Sequence, residues 1–135
     1  MNIGIVGGRD FQDYEKLRDF IFQNIKLEEI DYVVSGGSKG TDRLGERFAK
    51  EFNIPKMIFK PDWGLYGKKA GFIRNKNIID NSNVIFAFWD GKSKGTKSSI
   101  DIANSQNKHI YKYEYIIERD PIDEVFHDVL DYFLN

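Results

Sequence analysis

The chain has no cysteine, three prolines and two histidines among its 135 residues. Without cysteine it has neither a disulfide framework nor a thiolate nucleophile, so the redox compartment is not readable from the sequence. His109 and His127 stand outside every motif, and no H-E-x-x-H sequence occurs. We therefore expect no metal site and no bound cofactor. A Ser-His-Asp triad likewise lacks any nucleophile-elbow motif.

Long apolar runs are also missing, and no stretch approaches the length of a membrane span. Residues 1–8 have no basic region and too short an apolar run for a signal peptide. The composition is 41% hydrophobic and 30% charged, which is typical of soluble globular proteins. We expect one domain over residues 1–135, a cytoplasmic location and no membrane partner.

Charge is nearly balanced overall, at a net −1, but it is unevenly distributed. Residues 36–97 hold 13 lysines and arginines against 6 aspartates and glutamates. This basic middle favours a face that attracts an anion, although solvated lysine-rich helix faces would give the same count. The acidic remainder argues against broad contact with nucleic acid.

Apolar runs and helical periodicities alternate along the chain. Strands are predicted at 2–6, 31–35, 55–60, 83–89 and 108–113. Helices are predicted at 14–25 with Asp13 as N-cap, from Gly40 or Thr41 to about 52, at 70–81, at 96–105 and after Asp120-Pro121. Residues 61–69 are predicted to be a loop. The alternation indicates an α/β fold, a Rossmann-like three-layer sandwich with a mostly parallel central sheet.

The strongest chemical signal is the run at residues 35–44, where a strand leads through glycines into a helix. Glycine lets the backbone approach a ligand closely, and a helix N-terminus offers free N–H groups to a phosphate. The candidate ligand-binding residues here are Ser35, Gly36, Gly37, Lys39, Gly40, Thr41 and Asp42. The run is neither a Walker loop nor G-x-G-x-x-G, and a tight turn with a helix cap is the alternative.

Two further glycine loops follow strands in the same way. Residues 88–96 supply Asp90, Gly91, Ser93, Gly95 and Thr96, and residues 7–11 supply Gly8 and Arg9. In a parallel sheet, ligands bind at the carboxyl ends of the strands. We expect the loops at residues 35–44 and 88–96 to lie there at adjacent strand ends, with the loop at residues 7–11 as a third. An ion pair of Arg9 with Asp10 or Asp13 is the alternative role for that arginine.

Residues 61–75 add an aromatic and a cation. Trp63 lies in a glycine-rich segment outside core spacing, where an indole can stack on a base. Arg74 can bind phosphate through two N–H groups, and Asn75 can bond sugar or phosphate. Alternatively, Trp63 plugs the end of the sheet and Arg74 pairs with a carboxylate.

Four segments together resemble a known family: residues 7–11, 35–44, 61–75 and 88–96. They are similar to the small YspA-type branch of the SLOG superfamily. That superfamily includes the DNA-processing protein DprA and the LOG nucleoside-monophosphate phosphoribohydrolases. The resemblance covers about residues 1–113. It implies a Rossmann-like fold that binds nucleotides or nucleotide-derived signals.

The resemblance also bears on catalysis. LOG hydrolases carry a PGGxGTxxE loop and an arginine on the preceding helix, which Gly95-Thr96 and Arg74 would match. The LOG carboxylate then falls on Ser99, and serine cannot stabilise a positively charged ribosyl centre as a carboxylate does. If the chain is a hydrolase, Arg74 with Asp42 or Asp90, or else Asp62, would carry the reaction.

The leading hypothesis is a protein that senses, carries or sequesters a nucleotide-derived small molecule, such as a mononucleotide or an ADP-ribose-like signal. The first alternative is a phosphoribohydrolase or other N-glycosidic hydrolase. The second is binding of single-stranded nucleic acid, which the acidic remainder of the chain disfavours. Apolar helix stripes additionally predict a homo-oligomer, although the same stripes could simply pack on the sheet.

Overall fold

A parallel five-stranded sheet organises the computed structural model, which describes residues 1–117. The strands are β1 (Asn2–Gly7), β2 (Tyr32–Ser35), β3 (Lys56–Ile58), β4 (Val84–Trp89) and β5 (His109–Glu114), in the order β3-β2-β1-β4-β5. Every neighbouring pair is parallel. The Rossmann-like α/β fold is thus confirmed. The predicted helix after Asp120-Pro121, with His127, lies outside the described residues.

Five helices connect and cover the strands: α1 (Tyr14–Asn24), α2 (Thr41–Glu51), α3 (Trp63–Tyr66), α4 (Ala70–Asp80) and α5 (Lys94–Ser105). A 3₁₀ turn follows α1 at Leu27–Glu29. Asp13 caps α1, as predicted, by accepting a bond from the Lys16 N–H at 3.2 Å. Such a cap stabilises a helix by about 1 kcal/mol.

The core has two halves, one on each face of the sheet. On one face α1 and α2 bury Leu17 and Phe48 against Phe86 and Phe88. On the other face α4 and α5 bury Ile79 and Ala103 against Val34 and Ile85. Each large apolar side chain buried in this way contributes roughly 1.5–3 kcal/mol. These two halves fix the ends of β1, β2 and β4 relative to one another.

The prediction of a loop at residues 61–69 is wrong. This segment forms α3 and a 3₁₀ turn at Gly67–Lys69. The Asp62 carboxylate caps α3 by accepting a bond from the Leu65 N–H at 3.0 Å, and Gly67, at φ +58°, ends the helix. Glycines and aromatics suggested a loop, but the capping aspartate allows one helical turn.

Smaller differences concern α4 and α5. Helix α4 ends at Asp80, one residue before the predicted end, and it buries Ala70, Ile78 and Ile79. Helix α5 begins at Lys94, two residues before the predicted start. Among residues 1–117, no helix has both the length and the apolar character needed to cross a membrane.

Candidate functional site

A cavity of about 570 Å³ opens at the carboxyl edge of the sheet. The loops after β1, β2 and β4 surround it. The expectation that the loops at residues 35–44 and 88–96 follow adjacent strands is wrong, because β1 lies between β2 and β4. Three neighbouring strand ends therefore contribute to one cavity, which is the place where open parallel sheets bind ligands.

Arg74 reaches this cavity from α4. Its Nη1 donates to the Gly36 carbonyl oxygen at 3.1 Å, and its Nε donates to Asn75 Oδ1 at 3.0 Å. A Cβ on Gly36 would lie 2.6 Å from Arg74 Nη1, so a side chain there would displace the guanidinium from this position. Asn75 also donates to the Gly95 carbonyl at 3.5 Å, which links α4 to α5. The guanidinium is therefore held in a defined orientation before any ligand arrives.

Arg74 and Arg9 line the same cavity. Burial lowers the pKa of Arg74, and the nearby charge of Arg9 lowers it further, while Asp42 opposes both. Among residues 1–117, neither arginine takes part in an ion pair. The same cavity is also lined by Asp10, Asp42 and Asp90, so its charge is mixed. The two arginines, which bond no carboxylate within residues 1–117, are its groups suited to an anionic guest.

The N-terminus of α5 opens on the cavity through Ser93, Gly95 and Thr96. Ser93 is the N-cap, and its side chain bonds none of the first N–H groups of the helix. These donors carry the positive end of the helix dipole. A phosphate placed here would accept from them directly.

Asp90 shapes the loop that precedes α5. Its Oδ1 accepts from the backbone N–H groups of Ser93 at 2.8 Å and Lys92 at 2.9 Å. Burial raises the pKa of Asp90, but these two N–H donors more than offset it and hold the pKa below its ordinary value. Asp90 is thus an ionised carboxylate engaged by its own loop.

At the N-terminus of α2 the first N–H group is bonded within the protein. The Thr41 N–H and hydroxyl both donate to the Gly8 carbonyl, at 3.1 and 2.9 Å. The carboxylate of Asp42 lies at the start of α2 and accepts from the Ser38 N–H at 3.0 Å. Burial raises the pKa of Asp42, although the Ser38 bond and the charge of Arg74 lower it. The run that looked strongest in sequence therefore places a carboxylate, not an open helix end, against the cavity.

Asp42→Asn should increase the free energy of unfolding more at pH 7 than it does at about pH 4. A carboxyl group whose folded pKa is raised destabilises the fold above that pKa, and the penalty disappears as the pH falls to the unfolded pKa. Urea denaturation of the wild type and Asp42→Asn at both pH values measures the difference. An equal change in the free energy of unfolding at the two pH values would contradict a raised pKa of Asp42 in the folded protein.

The predicted binding residues divide into two groups. Those that line the cavity are Gly8, Arg9, Asp42, Arg74, Asn75, Asp90, Ser93, Gly95 and Thr96. Those that do not line it are Ser35, Gly36, Gly37, Lys39, Gly40, Thr41, Trp63 and Gly91. Trp63 is 58% exposed on α3 and packs beside Gly71. Asp62, a candidate carboxylate, caps α3 instead.

Sequence reasoning missed several residues of the lining. Asp10 and Ser38 lie within the glycine-rich segments, so their position in those motifs could have indicated them. Val6 and Ile78 also line the cavity, but their apolar character resembles that of core residues. Within the described part of the chain, no three His, Asp or Glu side chains come together as metal ligands would.

Comparison with known proteins agrees with the fold and the glycine-rich segments. The model of the YspA, cpYpsA-related SLOG family matches residues 1–66. The Gene 61 protein of Mycobacterium phage D29 is 31% identical over 100 residues, covering 69% of this chain and 80% of that protein. The chain belongs to the YspA, cpYpsA-related SLOG family. The resemblance seen in the sequence is thereby confirmed.

The SLOG fold also relates this chain to a larger protein of known structure. The X-ray structure of DNA processing protein A (DprA) from Streptococcus pneumoniae superposes with a TM-score of 0.66 at 15% identity. The match covers 96% of this chain and 56% of the DprA chain, so this SLOG protein spans little more than half of that neighbour. At this identity the likeness concerns the fold.

Proposed function

We propose that this SLOG protein holds the phosphate of a nucleotide-derived small molecule in the cavity, as a sensor, carrier or sequestering protein. The observation that carries the proposal is the convergence of the uncapped N-terminus of α5 with Arg9 and Arg74. Family membership supports a nucleotide-related ligand. A mononucleotide and an ADP-ribose-like molecule are the two candidate classes.

The size and strength of the site suit such a ligand. Pockets for small molecules and cofactors have volumes of about 300–1,000 Å³, a range that contains this cavity. A helix N-terminus contributes about 0.3–1 kcal/mol, and each hydrogen bond to a charged group about 1.5–3 kcal/mol. Micromolar binding needs about 8 kcal/mol. Phosphate contacts with both arginines and α5 would supply most of this, and the sugar and base the remainder.

The presence of Ser99 favours binding of the ligand without hydrolysis. It lines the cavity on α5, is 2% exposed, and its hydroxyl donates to the Gly95 carbonyl at 3.5 Å. Related hydrolases would have a carboxylate at this position. Without one, no α5 residue that lines the cavity can stabilise positive charge on a ribose ring.

Calorimetric titration with AMP, ADP and ADP-ribose should detect binding of at least one of them at micromolar concentration, with the ligand recovered intact. The N-terminus of α5 and the two arginines would then bind its phosphate. Mass spectrometry of the recovered ligand checks that it is unchanged. The proposal is wrong if none of these compounds binds at millimolar concentration.

A hydrolase is the second candidate, and Asp42 is the observation that favours it. This carboxyl is 8% exposed, has a raised pKa and lines the same cavity as Arg74. A carboxyl of that kind can act as a general acid. Release of free base from a nucleoside monophosphate, lost in both Asp42→Asn and Arg74→Ala, would replace the binding proposal by this one.

An oligonucleotide in the same titration, repeated at several salt concentrations, tests the nucleic-acid alternative.

A further inference from the structure

Tyr115 is a residue outside every segment that the sequence singled out, and it lies next to the cavity without lining it. It directly follows β5, and its N–H donates to the Trp89 carbonyl at 3.0 Å at the end of β4. The Tyr115 ring packs on Phe11 with ring centres 4.8 Å apart. The backbone bond and the ring contact together place the side chain over the loop that follows β1.

The hydroxyl of Tyr115 makes one specific contact with that loop. It donates to Asp10 Oδ1 at 2.8 Å, and Asp10 lines the cavity beside Arg9. A Cβ at Gly8 would overlap this hydroxyl, so the loop fits beneath the tyrosine only with glycine there. Burial raises the pKa of Tyr115, and the bond to Asp10 raises it further. The phenol therefore remains protonated and donating at neutral pH.

Backbone bonds and one core side chain also hold this loop. The Gly8 N–H donates to the Phe88 carbonyl at 3.1 Å, and the buried Phe11 ring stacks on Phe88. The Phe11 N–H donates to the Gly8 carbonyl at 3.4 Å, and the Thr41 contacts engage the same carbonyl. None of these contacts involves the Asp10 side chain. Among residues 1–117, no other side chain donates a hydrogen bond to the Asp10 carboxylate. Loss of the Tyr115 hydroxyl would therefore leave Asp10 and its neighbour Arg9 without their side-chain anchor.

We propose that Tyr115 is a positioning residue of the ligand cavity, fixing the loop at residues 8–11 through Asp10 so that Arg9 faces the bound phosphate. The consequence for affinity rests on the proposed function above, whereas the ordering of the loop does not. The cavity wall is thus set partly by the residue that directly follows β5.

The test compares Tyr115→Phe with Tyr113→Phe, both of which remove a hydroxyl and keep the ring. Tyr113 is half-buried like Tyr115 and its ring also lies near Phe11, at 6.0 Å, but its hydroxyl bonds no group within residues 1–117. We expect amide hydrogen exchange at the hydrogen-bonded Gly8 and Phe11 N–H groups to speed up about 3- to 10-fold in Tyr115→Phe only, with a melting temperature lowered by about a few degrees. Equal exchange in the two variants would overturn the proposal.

A double variant distinguishes an effect through the Tyr115–Asp10 hydrogen bond from a general loss of order in the loop at residues 8–11. If Tyr115 acts through Asp10, then Asp10→Ala should speed up exchange as Tyr115→Phe does, and combining both changes should add nothing further. Additive effects would show that the hydroxyl does not act through Asp10 and would refute the proposal.

Ligand affinity is the second readout, with ADP-ribose and AMP as the probes. We expect Tyr115→Phe to bind the probe that the wild type binds about 3- to 10-fold more weakly, and Tyr113→Phe to bind it normally. Faster loop exchange in Tyr115→Phe with no probe bound by the wild type would support the positioning role and reject the proposed function. Normal probe binding by Tyr115→Phe would reject the positioning role alone.

Discussion

Arg74→Ala should weaken binding of a phosphate-bearing nucleotide roughly 10- to 150-fold, the equivalent of about 1.5–3 kcal/mol for hydrogen bonds to a charged group. The guanidinium is held by the Gly36 carbonyl and Asn75 and lines the cavity beside Arg9. Its orientation is therefore set before binding, and alanine removes both the charge and the donors. Titration calorimetry measures the change.

Arg43→Ala is the matched control. Arg43 is an exposed residue of α2 that does not line the cavity, so its loss changes the net charge equally but leaves the site intact. We expect less than about a twofold change in affinity for this variant, since surface charges contribute little. Because Arg74 also bonds Gly36, the melting temperature of each variant must be measured. Equal losses in Arg74→Ala and Arg43→Ala would show that the cavity is not the binding site.

Gly40→Ala should be severely destabilising, by about 3–5 kcal/mol. Gly40 adopts φ +71° and ψ −124°, a conformation that is almost restricted to glycine, and a Cβ there would overlap the carbonyl group of Arg9. That carbonyl is backbone and cannot move aside as a flexible side chain would. The substitution would push the start of α2 away from the loop after β1. Urea denaturation measures the loss.

Gly91→Ala measures the cost of a positive φ alone, without the steric overlap that a Cβ at Gly40 would have with the Arg9 carbonyl. Gly91 has φ +81°, but no atom of residues 1–117 lies within 4 Å of a Cβ added there. Where residues 1–117 alone surround this position, we expect a loss of only about 1 kcal/mol, which is the backbone cost. If Gly40→Ala costs no more than Gly91→Ala, the close approach of α2 to the loop after β1 is not required for stability.

Much of the fold could be predicted from the sequence because apolar periodicity and caps are local signals. Residues 83–89 read as a buried strand and form β4, and Asp13 read as the cap that begins α1. Strand order could not be obtained in this way, since it depends on which strands pair across the sheet. The short helix α3 was missed because a single helical turn has too few residues to show a period.

Part of the candidate site could be predicted from the sequence, and the site residues predicted wrongly have a common cause. Glycine in a strand-to-helix loop can serve a ligand or the close packing of two backbones, and the residue type is the same in both cases. Gly36 and Gly40 make room for Arg74 and the Arg9 carbonyl, whereas Gly95 lines the cavity. Tyr115 could not be found, because its contact with Asp10 joins residues far apart in the chain.

The central claim is that the start of α5, together with Arg9 and Arg74, binds a phosphate. Amide chemical-shift mapping by NMR during titration with AMP or ADP-ribose tests it most directly. The account predicts that the largest shifts fall on residues 93–96 and 8–10, and that shifts on the exposed segment 63–66 are small. Shifts confined to residues 63–72, or no shifts at saturating nucleotide, would contradict it.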